Sequence, residues 1–116
     1  MTDSSLRLLK GTLDVLILKT ISWGPAHGYA ISRWIRESSA DDLIIEEGAL
    51  YPALRRLEEA GLVASEWRRV DTGREARVYS LTPEGRRAMR AQVATWQRYV
   101  SAFTRVLETR PKEALT

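Results

Sequence analysis

The chain has 116 residues, 44% hydrophobic and 28% charged, with a net charge of +3, which fits one domain around one core. It has no cysteine and a single histidine, so disulfides, thiolate metal sites and a convergent metal site are not expected, and no cofactor is implied. No apolar run approaches the roughly 20 residues that span a bilayer, and the start "MTDSSLRLLKG" lacks the basic-then-apolar order of a secretory leader. No membrane association and a cytoplasmic location are expected.

"LKGTLDVLILKTISWGP" predicts a first helix, from Thr12 as N-cap to a stop at Gly24-Pro25. Leu13, Val15, Leu16, Ile17, Leu18 and Ile21 nearly encircle it. A helix apolar all round is buried all round. One side is expected in the core, and the spare side, with Leu13 and Leu16, against a partner. "HGYAISRWIRESS" predicts a second helix with Ala30, Ile31, Trp34 and Ile35 as its buried stripe and Arg33, Arg36 and Glu37 in water. His27, near its start, reads as a capping or packing residue. The linker "SSADDLII" carries a candidate short strand at 43–45.

"EEGALYPALRRLEEAGL" predicts a third helix, ended by Gly61. Leu50, Leu54 and Leu57 recur at core spacing, which turns Gly48, Pro52, Arg55, Arg56 and Glu59 outward, with Ala49 and Tyr51 on the flanks. Proline is tolerated in a first turn, where backbone N–H groups lack intrahelical partners. The small residues let the helix end approach another surface closely, and its free N–H groups suit phosphate. This is the layout of a helix entering a DNA groove, with Tyr51 reaching a phosphate or base edge, Arg55 a phosphate or a guanine, and Arg56 a phosphate. The plainer alternative is that Gly48 and Pro52 only mark a helix boundary.

"LVASEWRRV" and "ARVYSL", joined by the turn "DTGR", predict a β-hairpin, with Trp67 and Tyr79 packing it onto the core. Between Arg68 and Arg90 lie seven arginines and three acids, so this stretch carries +4 and the remainder −1. Such concentration suggests a polyanion partner; a solvated surface is the alternative. Arg68, Arg69, Arg74 and Arg77 around the turn suit a DNA backbone or minor groove.

"TPEGRRAMRAQVATWQRYVSAFTRVLETRP" predicts a long last helix with Thr82 as N-cap and Pro83 at its first position. Met89, Val93, Trp96, Val100, Phe103 and Leu107 are spaced as a heptad seam. Pairing with a second copy is expected, the alternative being a helix folded back over its own domain. Trp96, Tyr99 and Phe103 also offer a flat apolar effector pocket, or simply a packed interface.

Three helices, a hairpin and a long helix describe a mainly α protein with a small β-hairpin. The expected architecture is a winged helix-turn-helix domain at 1–81, one long C-terminal dimerisation helix at 82–110 and a tail at 111–116. A symmetric dimer presents two recognition helices about one DNA turn (~34 Å) apart to a pseudo-palindromic operator of double-stranded DNA.

"LKGTLDVLILKTI", "GPAHGYAI", "EGALYPALRRLEEAGLVASEW" and "YSLTPEGR" run in the same order as in the PadR-like transcriptional regulators, which the chain resembles over roughly residues 8–90. The resemblance implies a homodimeric winged helix-turn-helix built with the C-terminal helix, mostly repressing bacterial promoters, in some members relieved by a small molecule. The single long last helix resembles the short-tailed branch. By position it implies that Tyr29 is structural and approaches DNA, that Tyr51 and Pro52 sit in the recognition helix, and that Arg74 and Arg77 belong to the wing. The chain departs from the pattern at Glu46 and Ala49, where members often carry hydroxyl residues, and at Val78, where tyrosine is frequent. No Ser/His/Asp set or phosphate loop is visible, so an enzyme is not expected. The remaining rival is a winged-helix module that binds a protein with the same face.

Overall fold

The computed structural model describes residues 11–115; residues 1–10 and 116, at the ends of the expected domain and tail, lie outside the described residues. The elements run α1 (Thr12–Ile21), β1 (Ala26–His27), α2 (Gly28–Ser38), α3 (Glu47–Glu59), β2 (Val63–Arg69), β3 (Glu75–Leu81) and α4 (Pro83–Glu108). This is the expected order of three helices, hairpin and long helix, with one addition. The two-residue β1 pairs antiparallel with β3, Ala26 opposite Tyr79 and His27 opposite Val78, giving a three-stranded sheet in the order β1-β3-β2. Two residues between a proline and a helix start carry no alternation, so the sequence gives no strand signal there.

The core lies where the three short helices meet the inner ends of β2, β3 and α4. Ile17, Leu18 and Ile21 of α1, Ile31 and Ile35 of α2, and Leu50, Ala53, Leu54 and Leu57 of α3 are buried together with Val63, Tyr79 and Met89. The predicted third-helix stripe is therefore the observed one. Burying a leucine or isoleucine of this kind contributes about 1.5–3 kcal/mol.

Several expectations are corrected. Gly11, not Thr12, holds the N-cap position of α1, in the left-handed region at φ +89°, and the helix ends at Ile21, short of Gly24. Residues 43–45 form no strand, only a single bridge at Leu43; Ile45 is nonetheless buried, and Leu43 packs on the core. Trp34 is 50% exposed, because α2 meets the core through Ile31 and Ile35 and leaves the Trp34 side open. Trp67 is 64% exposed, whereas Tyr79 is buried as expected. Along β2 the inward positions run from buried Val63 through half-buried Ser65 to Trp67, so the hairpin has outrun the body by that point. The Arg77 guanidinium lies over the indole, 5.9 Å from its centre.

The "TPEG" stretch locks α4 to the body. Thr82 Oγ1 accepts from the Gly85 N–H at 2.9 Å and donates to the Gly61 carbonyl at 2.7 Å. The Thr82 N–H donates to the Leu62 carbonyl at 3.2 Å. Gly85 is buried, and a Cβ there would stand 1.8 Å from the Leu62 carbonyl oxygen, so no other residue fits without moving backbone.

From this anchor α4 runs about 39 Å at 1.5 Å per residue. Its seam divides. Met89 is buried in the chain's own core, Val93 is partly buried against it together with Leu13 and Leu16 of α1, and Trp96 is partly covered. The expectation that all of these form an interface with a second copy is corrected for Met89, which at 7% exposure is already packed within its own chain. Val100, Phe103 and Leu107 are 57%, 53% and 71% exposed.

Candidate nucleic-acid interface

The recognition-helix candidate α3 begins at Glu47, with Glu46 at the N-cap position and no side-chain cap. A serine or threonine there would accept a backbone N–H; the longer glutamate leaves the first N–H groups of α3 without one. This start places Pro52 one turn inside the helix rather than in its first turn. Its ring has no N–H for the Gly48 carbonyl four residues back, a local weakness on the exposed side. Gly48 has open space around its α-carbon, and Gly48, Ala49, Pro52, Arg55 and Arg56 are all exposed.

Tyr51 is 48% exposed, and its ring rests on the first residue of α2: a Cβ on Gly28 would lie 2.8 Å from Tyr51 Cε1 and from its hydroxyl. This explains the glycine in "HGY". It lets the second and third helices meet with an aromatic ring between them, and the spacing of "HGY" and "LYP" is the only sequence signal of that contact. Beside it, His27 caps α2 through Nδ1, which accepts the Ala30 N–H at 3.2 Å. Tyr29 is 64% exposed, stacks on His27 with ring centres 6.4 Å apart, and carries Arg33 over its other surroundings at 5.7 Å.

The arginines fall into two groups. Arg56 binds Asp14 of α1 at 3.1 Å. Arg77 donates to Ser65 Oγ at 2.8 Å and lies 3.5 Å from Glu58, so it ties the wing to α3. Arg68 pairs with Glu66. By contrast, Arg55 and Arg74 make no ion pair among the described residues. The partners of Arg56 and Arg77 are distant in sequence, whereas Glu66 stands two residues from Arg68 on the same side of β2. The arginines of these pairs are exposed and the carboxylates half-buried to exposed, so each pair is worth about 1 kcal/mol and a phosphate can displace the carboxylate.

The wing turn is closed by Val70 N–H to the Arg74 carbonyl and Gly73 N–H to the Val70 carbonyl, both 2.8 Å, with Gly73 at φ +82°. Behind the wing, burial pushes the Tyr79 phenol above its ordinary range; Arg77 opposes this, and Glu58 and Tyr51 add to it. The phenol is therefore a neutral part of the scaffold.

On α4, Trp96 and Tyr99 meet edge to face at 5.5 Å, and Tyr99 and Phe103 stack at 5.9 Å. The three expected effector residues thus form one ladder, and Trp96 borders a small cleft shared with Asp14 and Gln92.

The model of the transcriptional regulator PadR-like family matches residues 17–91. The chain belongs to the PadR-like family of transcriptional regulators. This PadR-like chain is 49% identical over 57 residues to the transcriptional regulator Rv3488 of Mycobacterium tuberculosis, a match covering 48% of the chain and 52% of that protein, about half its length. A solved PadR family transcriptional regulator from Eggerthella lenta is 36% identical, with a TM-score of 0.72 over 87% of this chain and 86% of that one. A PadR family transcription regulator from Clostridium difficile is 27% identical, with a TM-score of 0.72 over 84% and 99%. Membership puts the PadR-like chain among DNA-binding transcription regulators of winged-helix fold with a long C-terminal helix, not among enzymes. No helix among the described residues is long and apolar enough to cross a membrane.

Proposed function

We propose that this PadR-like protein is a homodimeric, sequence-specific repressor of bacterial promoters, acting in the cytoplasm. In this reading α3 enters the major groove of a pseudo-palindromic operator. Gly48 and Ala49 allow the close approach, Tyr51 and Pro52 line the entry, and Arg55 reads a base edge. Arg56 and Arg68 exchange their carboxylates for phosphates, Arg74 holds the backbone from the wing, and Tyr29 flanks the groove. Arg77 belongs more to the wing's attachment than to DNA, given its bonds to Ser65 and Glu58.

The observation that carries this reading is Arg55, without an ion pair among the described residues, on the same outward side of α3 as Gly48 and Pro52, with open space at Gly48 and a tyrosine seated against Gly28. The second copy is inferred from the exposed far end of α4. Val100, Phe103 and Leu107 continue the seam of Met89, Val93 and Trp96 and are each more than half exposed among the described residues. Leu13 and Leu16, partly buried, would border that contact. The residues 1–81 then carry DNA and 82–110 carry pairing. The Trp96, Tyr99 and Phe103 ladder supports a flat aromatic effector held at the paired surface, which would relieve repression by favouring a different spacing of the two DNA-reading helices.

Selection from a pool of random duplexes tests the whole reading. Enrichment of an inverted repeat with half-sites about one turn apart is expected, and enrichment of no motif would sink it. Arg55→Ala should cost about 1–3 kcal/mol on the selected site and relax preference at one base pair.

A further inference from the structure

We infer that the open cleft between the start of α2 and the wing seats one phosphodiester of the DNA backbone, held by His27 and Arg33 opposite the wing arginines. This rests on the DNA-binding reading above and assigns two contacts that the recognition helix and the wing do not supply.

The cleft, about 650 Å³, exists because β1 ties His27 beside Val78 of β3, so the strand that leads to the wing tip leaves from the foot of α2. One wall carries His27, Tyr29 and Arg33; the other carries Arg68, Arg69 and Arg74. Asp71 and Glu75 are the acids that border it; of its four arginines, Arg33 and Arg68 carry Glu37 and Glu66 as exposed partners outside the lining, and Arg74 makes no ion pair among the described residues, so an anion is drawn to the wing side and competes for the other two. No α3 residue lines it, but Gly28, between the lining residues His27 and Tyr29, is the residue on which Tyr51 of α3 rests, so the cleft opens one residue away from the contact between α2 and α3. In the DNA-binding reading, a strand bordering the groove entered by α3 passes beside it.

The chemistry of His27 follows from its cap. A backbone N–H can only donate, so Nδ1, 3.2 Å from the Ala30 nitrogen, carries no proton in the capped state. The ring proton is on Nε2, which makes no hydrogen bond among the described residues. The neutral imidazole thus caps a helix with one nitrogen and offers a donor with the other. Arg33 lies over Tyr29 at 5.7 Å and shares its charge with Glu37 at 3.7 Å, a pair 59% and 64% exposed. Phosphate competes for Arg33 against a loosely held, solvated carboxylate. The stack on Tyr29 keeps the guanidinium beside the cleft while the exchange takes place.

The test is binding of the full chain to a labelled duplex of arbitrary sequence, followed by anisotropy between about 50 and 200 mM salt. Arg33→Gln should lower the slope of log K against log salt by about 0.9 per protomer, equally on unrelated sequences. His27→Asn retains a capping side chain. Its thermal midpoint should hold and its salt slope should not change, while affinity falls about threefold or more because the shorter asparagine amide does not reach where Nε2 stood. Glu37→Gln should tighten binding, and that gain should vanish in the Arg33→Gln background. An unaltered slope in Arg33→Gln together with unaltered affinity in His27→Asn overturns the inference and leaves the DNA-binding reading intact. Failure of the unaltered chain to bind any duplex removes that reading, and this inference with it.

Discussion

From Pro83 to Trp96 the seam of α4 lies against its own chain: Gly85 touches the Leu62 backbone, Met89 is buried, and Val93 packs on the core. From Val100 to Leu107 the same spacing continues along the same helix, and every seam residue is more than half exposed. One heptad pattern therefore serves two kinds of burial. The near half is held by intramolecular contacts of high local density, the far half by whatever lies beside it. A period in sequence says that one side of a helix is covered; it does not say by what.

Five changes would break or sharpen this contrast. Gly85→Ala should have the largest effect, about 3 kcal/mol or more, because its Cβ meets a carbonyl oxygen and not a movable side chain. Urea denaturation measures it, and a loss under about 1 kcal/mol would mean that α4 can shift along β2 freely. Met89→Ala, in the same half, should cost about 2–4 kcal/mol by leaving a cavity.

In the far half, Val100→Asp combined with Phe103→Asp should leave the folded body intact but raise the dimer dissociation constant a hundredfold or more, about 3 kcal/mol. Sedimentation velocity reads the shift, and an unchanged dimer would mean that pairing uses another surface. Thr82→Ala should cost about 1 kcal/mol of stability by removing the cap on Gly85 and the bond to Gly61, without altering association. The smallest effect belongs to Asp14→Asn. It should change stability by less than about 1 kcal/mol, yet free Arg56 and tighten binding to non-specific DNA at low salt. Equal affinity would show that Arg56 does not reach the backbone.

Much of the fold was legible in the sequence because its signals are local. The core stripe of α3, the Thr82-Pro83 helix start and the turn at Gly73 each follow from spacing or from backbone chemistry within a few residues. The errors arose where a neighbour distant in sequence decides. Trp34 and Trp67 have the hydrophobicity of core residues, but α2 turns one of them aside and the hairpin carries the other past the body. Pro52 fell a turn deeper than its sequence suggested because Glu46, which bears no capping bond, still begins the helix.

The candidate site divides the same way. That Arg55, Arg56, Arg68, Arg74 and Arg77 are exposed and basic was determined by residue type and periodicity. Glu66 stands two residues from Arg68 in the same strand, but that Arg56 and Arg77 are tied was decided only in three dimensions, by Asp14 from α1 and Glu58 from α3. Likewise "HGY" and "LYP" are fixed motifs, but only packing brings the Gly28 backbone under the Tyr51 ring and, through β1, His27 to the foot of the wing. Helix periods and turn residues are set by dihedral preferences and burial along one segment, which a chain specifies by itself. Charge pairing and close backbone approach depend on distances between segments, and those exist only once the core has fixed where each helix lies.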